Sequence, residues 1–578
     1  MSDHRPDLAQ LHADLHQGRV TAVLSAVEQL ESDGPLADEV LRLKIAALEA
    51  LGYDGEALEA ALGLRDDRPW TILRLLVRVE DVVVTDELES ALCDLLRTEE
   101  FFHPRVYEVL VNCLAEKLQA QGQAPAALHA LAGNRFFCLA LAKLDLWWPT
   151  LELDLTTLRR RILKECASPG DTTTSVITLV HGMAVQCHRN EYAWFVGDDE
   201  AALLDRVEQQ CRGQLADSVL GADRSLLLMY RSPTDLHKAG LISRIPVNGE
   251  DSPLQHFVAT TLDDEAREAR LAEHFASQAL PGDETSTRVA GMYEENPYPR
   301  WTSGLPILNP NGRPLEEFMQ LVESPAWQHK PTLPVQSILV AGCGTGVQPL
   351  SLAVALPRAR ILAIDITCRS LAYARMMAER YQAANVEFQR CDILALSSSS
   401  QRFDMVDSVG VIHHMRDPAA GLRALLACLR PGGLLRLGVY SRSGRDAVVR
   451  FRARQAKSRA DPAALREIRH DIVQAGDQGP YADLLQFRDF YNLSGCRDLL
   501  LHEQECQFTI PELRALLEAH GLTFLRFALQ PGMTEALHDQ ASAGTSAFNL
   551  ESWHQAELRT PFLFAGMYIL FARFDGRD

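Results

Sequence analysis

The chain is predicted to be an α/β protein, with an open, mostly parallel sheet preceded by an all-α helical-repeat region. Three observations carry this expectation. Residues 337–346 read Ser-Ile-Leu-Val-Ala-Gly-Cys-Gly-Thr-Gly, an apolar strand that runs straight into a glycine loop. From there to residue 440 short apolar strands alternate with helical stretches, the order that builds a parallel sheet. Ahead of them, leucine and alanine recur at helical spacing with turns marked by glycine.

In the N-terminal part, Gly52 and Gly122 stand 70 positions apart, as do Ala57 and Ala127. Ala91-Leu92 falls 34 positions after Ala57-Leu58, and Ala22-Val23 falls 35 before it. A period near 34 is that of tetratricopeptide (TPR)-type helix pairs, which bury their apolar stripes by stacking and leave a concave face. The fuller aromatic pattern of such repeats is missing, so unrelated helical hairpins remain the alternative. The expected division is TPR-like helical repeats over 1–135, a helical middle region with a linker over 136–290, and the sheet domain over 291–578. In the middle region Val176 to His188 is predicted as a buried helix. Asp198 to Gln214 is predicted as an amphipathic one, capped by Asp198 or Asp199. His188, Tyr192 and Trp194 either line a site or, by default, pack in the core. The polar run Pro281 to Thr287 suits a linker.

The first strand, Ile338 to Ala341, ends at Gly342, Gly344 and Gly346, where the backbone can turn sharply and approach a ligand closely. A helix should open near Pro349, a residue tolerated in a first helical turn. The dinucleotide fingerprint G-x-G-x-x-G needs a third glycine at position 347, which is Val347. A P-loop fails too, because no Gly-Lys-Ser/Thr follows. The second strand, Arg360 to Ile366, ends in Asp365, 23 positions after Gly342. An acid about 20 residues past the loop meets the ribose hydroxyls of an adenosine. A strand-end turn aspartate is the bland alternative. A third strand spans Asn385 to Cys391 and is followed by Asp392-Ile393. A fourth spans Phe403 to Ser408 and runs into Val409-Gly410-Val411-Ile412-His413-His414-Met415. Leu429-Arg430-Pro431-Gly432-Gly433 should turn into a fifth strand, Leu434 to Tyr440. After an insertion of about 80 residues, judged helical from its composition, Leu522 to Leu529 and Gly566 to Phe574 should form the last pair.

The G-x-G-x-G loop, the acids that follow it and the Leu-x-Pro-Gly-Gly turn resemble class I S-adenosylmethionine (SAM)-dependent methyltransferases over residues 337 to 440. The resemblance implies a Rossmann-like sheet of seven strands with the last one antiparallel, and SAM as cofactor. It places the cofactor against Gly342, Cys343, Gly344, Thr345, Gly346, Asp365, Ile366, Asp392, Ile393, Ser408 and Val409. Asp392 would reach the adenine amino group and Ile393 would pack on the ring. One departure stands out. Where many members carry an acid facing the methionine amine, two places before the first glycine, this chain has Val340. Met292 to Trp301 (Met-Tyr-Glu-Glu-Asn-Pro-Tyr-Pro-Arg-Trp), Asp489 to Leu500 and Trp553-His554 are similar to a bacterial group that joins helical repeats to a methyltransferase domain.

The methyl of a sulfonium is already electrophilic, so the enzyme must chiefly align a nucleophile and exclude water. Such positioning supplies roughly 7–11 kcal/mol of a barrier. An amine acceptor would also have to lose its proton, because a lysine with a pKa near 10.4 is charged at neutral pH. His413 and His414 are the candidate bases. They point in different directions if extended, so one at most faces the crevice, and the pair could instead only shape the loop. Tyr293 is a further catalytic candidate that could lie over the cofactor. Tyr491, Asp498 and His502 are candidate substrate residues; the last two stand four apart, on one face if helical. The insertion, about 441–521, is the expected substrate lid. No metal-ligand spacing is present.

With 578 residues, 47% of them hydrophobic, the chain can hold two to four cores. The net charge of −20 disfavours a nucleic-acid acceptor. No apolar run is long enough for a membrane helix, and the start lacks a secretory h-region. Twelve cysteines without C-x-x-C pairs suggest reduced thiols and a cytoplasmic setting. The basic run Arg442 to Arg459 could dock an acidic partner or RNA, but compensation by neighbouring acids is favoured. The expected function is methyl transfer to a protein or peptide side chain delivered through the helical repeats. A small-metabolite acceptor is the alternative, and a non-catalytic SAM-binding scaffold is the alternative from another class. The oligomeric state is left open.

Overall fold

The computed structural model describes residues 8–30, 37–65, 68–79, 81–97, 104–121, 127–167, 174–212, 222–243, 253–277, 284–295, 297–301, 336–454, 461–502, 504–528, 549–564 and 566–576. Its C-terminal part is one seven-stranded sheet. The strands are β1 (Ser337–Ala341), β2 (Arg360–Asp365), β3 (Val386–Arg390), β4 (Phe403–Val409), β5 (Leu429–Tyr440), β6 (Leu522–Phe527) and β7 (Met567–Phe574). They lie in the order β3-β2-β1-β4-β5-β7-β6. β1 to β5 are parallel, and β7 runs antiparallel to both β5 and β6. The order reverses beside β1, so a crevice opens past the carboxyl ends of β1 and β4, where open α/β sheets bind their ligands.

The expected turn at Leu429 to Gly433 is absorbed into β5. Its register against β4 jumps from Phe403↔Leu429 to Met405↔Leu434, so Pro431-Gly432-Gly433 loops out as a bulge while the strand continues on either side. Β6 ends at Phe527, and Leu529 lies outside the described residues. Of the expected linker, 281–283 lie outside the described residues, but from Glu284 the backbone is already helical, to Glu295.

Ahead of the sheet every described element is a helix. Leu8–His16, Ala37–Leu51, Arg68–Leu76 and Pro104–Gln121 each open a helix pair, at intervals of 29, 31 and 36 residues. Thr174–Arg189 and Asp198–Arg212 match the two helices expected in the middle region. Trp194 is buried there and Tyr192 packs against the same core. That apolar core runs without a break from Ile45 to Leu262, so the expected boundary at 135 falls inside it, beside buried Phe136 and Phe137.

The helical region also reaches the sheet. The helix Pro253–Ala276 lies along Cys368–Arg380, with Arg380 to Asp264 at 2.8 Å, and Phe275 is buried in the sheet's own core. All twelve cysteines are free thiols, most of them buried. Among the described residues no helix is long and apolar enough to cross a membrane.

The segment between β5 and β6 is helical where described, as expected: Asp446–Arg454, Pro462–Ala475, Leu493–Leu501 and Ile510–Glu518, with short 3-10 turns between. It has a core of its own, around Phe451, Phe490, Leu499 and Leu500. Its outer side is pinned to the helical region. Buried Arg469 meets Glu152 at 2.8 Å and donates to the carbonyls of Ala193 and Phe490. Ser494 donates to Glu191 from both its N–H and its hydroxyl. Four arginines of the basic run face acids, as favoured: Arg442 pairs with Glu512, Arg450 with Asp446 and Asp483, and Arg445 and Arg452 share Glu505, while Arg454 is exposed and meets no acid among the described residues. Lys457 and Arg459 lie outside the described residues.

Candidate active site

One cavity of about 580 Å³ opens over the carboxyl ends of β1, β2 and β4 and extends beneath the lid. Its sheet side is built from the glycine loop and the acids after it. Gly342 and Gly346 hold φ of +75° and +94°, where a side chain would be strained. A Cβ on Gly342 would lie 2.4 Å from the Val411 side chain, and one on Gly346 would lie 2.8 Å from Ala374. Gly342 therefore keeps space for the loop after β4, and Gly346 lets Cys368–Arg380 pack close. Asp365 accepts the Gly344 N–H at 2.8 Å, and the Thr367 N–H and hydroxyl at 2.9 and 2.8 Å. Burial raises the Asp365 carboxyl above its ordinary range, and those hydrogen bonds pull it back part of the way. Asp392 caps the turn after β3 through Oδ1, which accepts the Leu394 N–H at 2.8 Å. Its Oδ2 is buried without a partner, and the residue lines the cavity.

Gly342, Cys343, Gly344, Asp365, Ile366, Asp392, Ile393 and Val409 all line the cavity. The other expected cofactor residues do not. The Thr345 hydroxyl turns away to the Pro299 carbonyl, Gly346 lies under the helix, and Ser408 donates to the Ala341 carbonyl at 3.1 Å, tying β4 to β1.

The segment Met292 to Trp301 straps this loop in place. Trp301 Nε1 donates to the Thr345 carbonyl at 3.1 Å. Glu294 accepts the N–H groups of Cys368 and Arg369, capping their helix. Arg300 and Arg369 both meet buried Glu268. Two tyrosines of the strap cross to the lid. Tyr293 donates to Asp498 Oδ1 at 2.7 Å, and Tyr298 donates to Asp489. All four line the cavity, and Tyr440, at the end of β5, joins them.

Of the histidine pair, His414 lines the cavity and His413 does not. His414 Nδ1 lies 2.8 Å from the Gln504 carbonyl, so it carries the proton there and Nε2 holds the lone pair. That lone pair faces His413 Nε2 at 3.1 Å. Burial holds both imidazoles below their ordinary range, hence neutral. His413 stacks on Tyr440, and Arg445 lies over the same ring at 3.7 Å. As placed, the pair shapes the pocket wall, and His414 has no lone pair left for an acceptor. Tyr491 is in the lid core, its hydroxyl on the Leu485 carbonyl. His502 sits behind the wall, stacked on His414 at 3.7 Å.

His414, Asp498 and His502 have the side-chain types of a metal site, with donor atoms within 4.8 Å of one another. The two rings, however, are stacked with 23° between their planes. Their in-plane lone pairs then lie in separate, nearly parallel planes and do not meet at one ion, as tetrahedral or facial coordination requires.

The sequence reading did not select Tyr298, Tyr440 or Asp489 as site residues. Tyr298 and Asp489 lie within the two flanking motifs, which was the available signal. Tyr440 is the residue where β5 ends, and in this fold strand ends carry ligands.

Residues 336–474 match the family described as Methyltransferase domain. The chain is 35% identical over 210 residues to Uncharacterized protein syc1184_c of Synechococcus sp., covering 34% of this chain and 50% of that protein. It is 27% identical over 174 residues to a Ubiquinone biosynthesis O-methyltransferase of Acinetobacter baylyi, covering 28% of this chain and 72% of that protein. The match to the enzyme of the same name from Albidiferax ferrireducens covers 20% of this chain and 45% of that protein, at 30% identity. The chain thus spans about half the length of the first and third of these relatives. Among solved structures, PKMT2 from Rickettsia typhi superposes with a TM-score of 0.36 at 17% identity, over 46% of this chain and 53% of that one.

The resemblance of residues 337 to 440 implies SAM as cofactor, and the residues present fit it. Asp392 Oδ2 is an acceptor awaiting a donor such as an adenine amino group. Ile366 and Ile393 give apolar walls, and Asp365 presents a carboxylate at the ribose distance along the chain.

Proposed function

We propose that the chain transfers a methyl group from SAM to a protein or peptide side chain. The observation that carries this reading is the continuity of one cavity, from Asp392 on the sheet to Asp498 on the lid, so that cofactor and acceptor residues share one continuous space. When bound, the cofactor supplies an electrophilic methyl. The chain's own residues do the rest. Asp365 and Asp392 bind and orient the adenosine. The strap holds the glycine loop still through Thr345. The lid covers the far side and keeps water out, which makes alignment effective. The pinning of the lid by Arg469, Glu152 and Glu191 gives the helical region a direct part in that closure, and its stacked pairs offer a surface to a macromolecular acceptor.

A small-metabolite acceptor is the second reading. It is favoured by the names of two relatives, both O-methyltransferases of ubiquinone biosynthesis. Incubating the protein with labelled SAM and a lysate of a strain lacking it separates the two. Label in a discrete protein band supports the first reading, and label in the small-molecule fraction supports the second. No transfer, together with tight SAM binding, leaves a binding scaffold.

A further inference from the structure

Asp489 and Asp498 both face the cavity from the lid. Asp498 is only 4% exposed. Each carboxylate accepts one tyrosine hydroxyl, through Oδ1, and no described residue donates to either Oδ2. Neither forms an ion pair with a described residue. Of the nearby cations, Arg445 is bound through two nitrogens to Glu505 at 2.8 and 2.7 Å, Arg452 meets the same Glu505 at 2.9 Å, and Arg488 meets Asp145 at 2.9 Å. One buried and one half-buried carboxylate whose hydrogen-bond partners are all neutral, with Arg445 and Arg488 acting on Asp489 only through space, leave negative charge that an incoming cation would relieve. Tyr440 also lines the cavity, and its hydroxyl makes no hydrogen bond with a described residue. Both faces of that ring are covered, by His413 and Arg445, so its hydroxyl end is what remains to offer.

We propose that these oxygens form an acceptor subsite for an alkylammonium, so that the methyl acceptor is an amine. This rests on the methyltransferase reading above. An ammonium carries three N–H donors and no acceptor, which suits Asp489, Asp498 and the Tyr440 oxygen. A neutral alcohol or phenol would leave the carboxylates uncompensated. For transfer, the ammonium gives one proton to a lid carboxylate. The freed nitrogen lone pair then forms the N–C bond as the C–S bond breaks and leaves its electron pair on sulfur. The amine can belong to a lysine side chain or to a free small molecule; both present the same head group.

The test is calorimetry on the full chain saturated with S-adenosylhomocysteine, titrated with n-butylammonium and with its neutral near-isostere n-butanol. The ammonium should bind about 10-fold tighter or more, as charge-assisted hydrogen bonds predict. Asp489→Asn and Asp498→Asn should each remove most of that preference while S-adenosylhomocysteine affinity holds. Equal binding of the two probes by the unmodified chain overturns the proposal without recourse to any variant. It is also overturned if the variants lose S-adenosylhomocysteine affinity but keep that for 5′-methylthioadenosine, which lacks the amino acid; the carboxylates would then serve the cofactor's own ammonium. Failure of the unmodified chain to bind S-adenosylhomocysteine is a separate result, which removes the methyltransferase reading itself. With labelled SAM and lysate, butylammonium-suppressible label in precipitated protein assigns a side-chain amine, and in the soluble fraction a free one.

Discussion

The two walls of the cavity hold their carboxylates in different ways. On the sheet wall, Asp365 and Asp392 are fixed by backbone N–H groups two residues ahead or within the glycine loop. On the lid wall, Asp489 and Asp498 are fixed by tyrosine hydroxyls 191 and 205 residues away in the chain. The first wall is local chemistry and comes with the domain. The second exists only when strap, lid and helical region are assembled together. Damage to the sheet wall should therefore appear in cofactor binding, and damage to the lid wall in acceptor binding and in the stability of the assembly.

The largest effect should come from Arg469→Met. It strands Glu152 as a buried carboxylate without its partner, at a cost of about 3–5 kcal/mol. Chemical denaturation should register that loss, with proteolysis appearing first in the lid. SAM affinity in the protein that remains folded should change little; a large loss would mean that the walls are not separable. Next, Asp365→Ala removes a charged acceptor worth about 1.5–3 kcal/mol, and should weaken SAM by about 10- to 100-fold in calorimetry. Unchanged affinity would take the ribose role from this residue.

A third effect concerns pH. Burial depresses His413, His414 and His502 below their ordinary 6.5, with Arg445 adding to it and Asp498 opposing it at His414. A depressed pKa in the fold means the stabilisation is complete above about 6.5 and is lost as the pH falls toward the folded value. Each histidine contributes a slope of about 1.4 kcal/mol per pH unit at most. The melting temperature should drop between pH 7 and pH 5, and His502→Asn should flatten the drop. A wild-type curve that is flat over this range would show the cluster to be hydrated. The smallest effect should be that of Tyr440→Phe. It removes one neutral hydroxyl, worth about 0.5–1.5 kcal/mol, and should weaken n-butylammonium a few-fold while leaving SAM binding unmoved.

The sequence by itself determined the places of β1 to β5 along the chain, the turn chemistry of Gly342 and Gly346, and the acids Asp365 and Asp392. These depend on interactions within a few residues, or on a spacing that a strand and a helix of ordinary length impose. It also pointed to His414, Tyr293 and Asp498 at the cavity, offering His414 as a base, Tyr293 as a catalytic residue over the cofactor and Asp498 as a substrate residue. Only the tertiary structure decided that Tyr293 answers Asp498 and Tyr298 answers Asp489. It also turned Ser408 and Thr345 away from the cavity and spent the lone pair of His414 on its neighbour. No period or local propensity encodes such pairings, because they join side chains about 200 residues apart, and chain packing alone fixes which buried donor finds which acceptor.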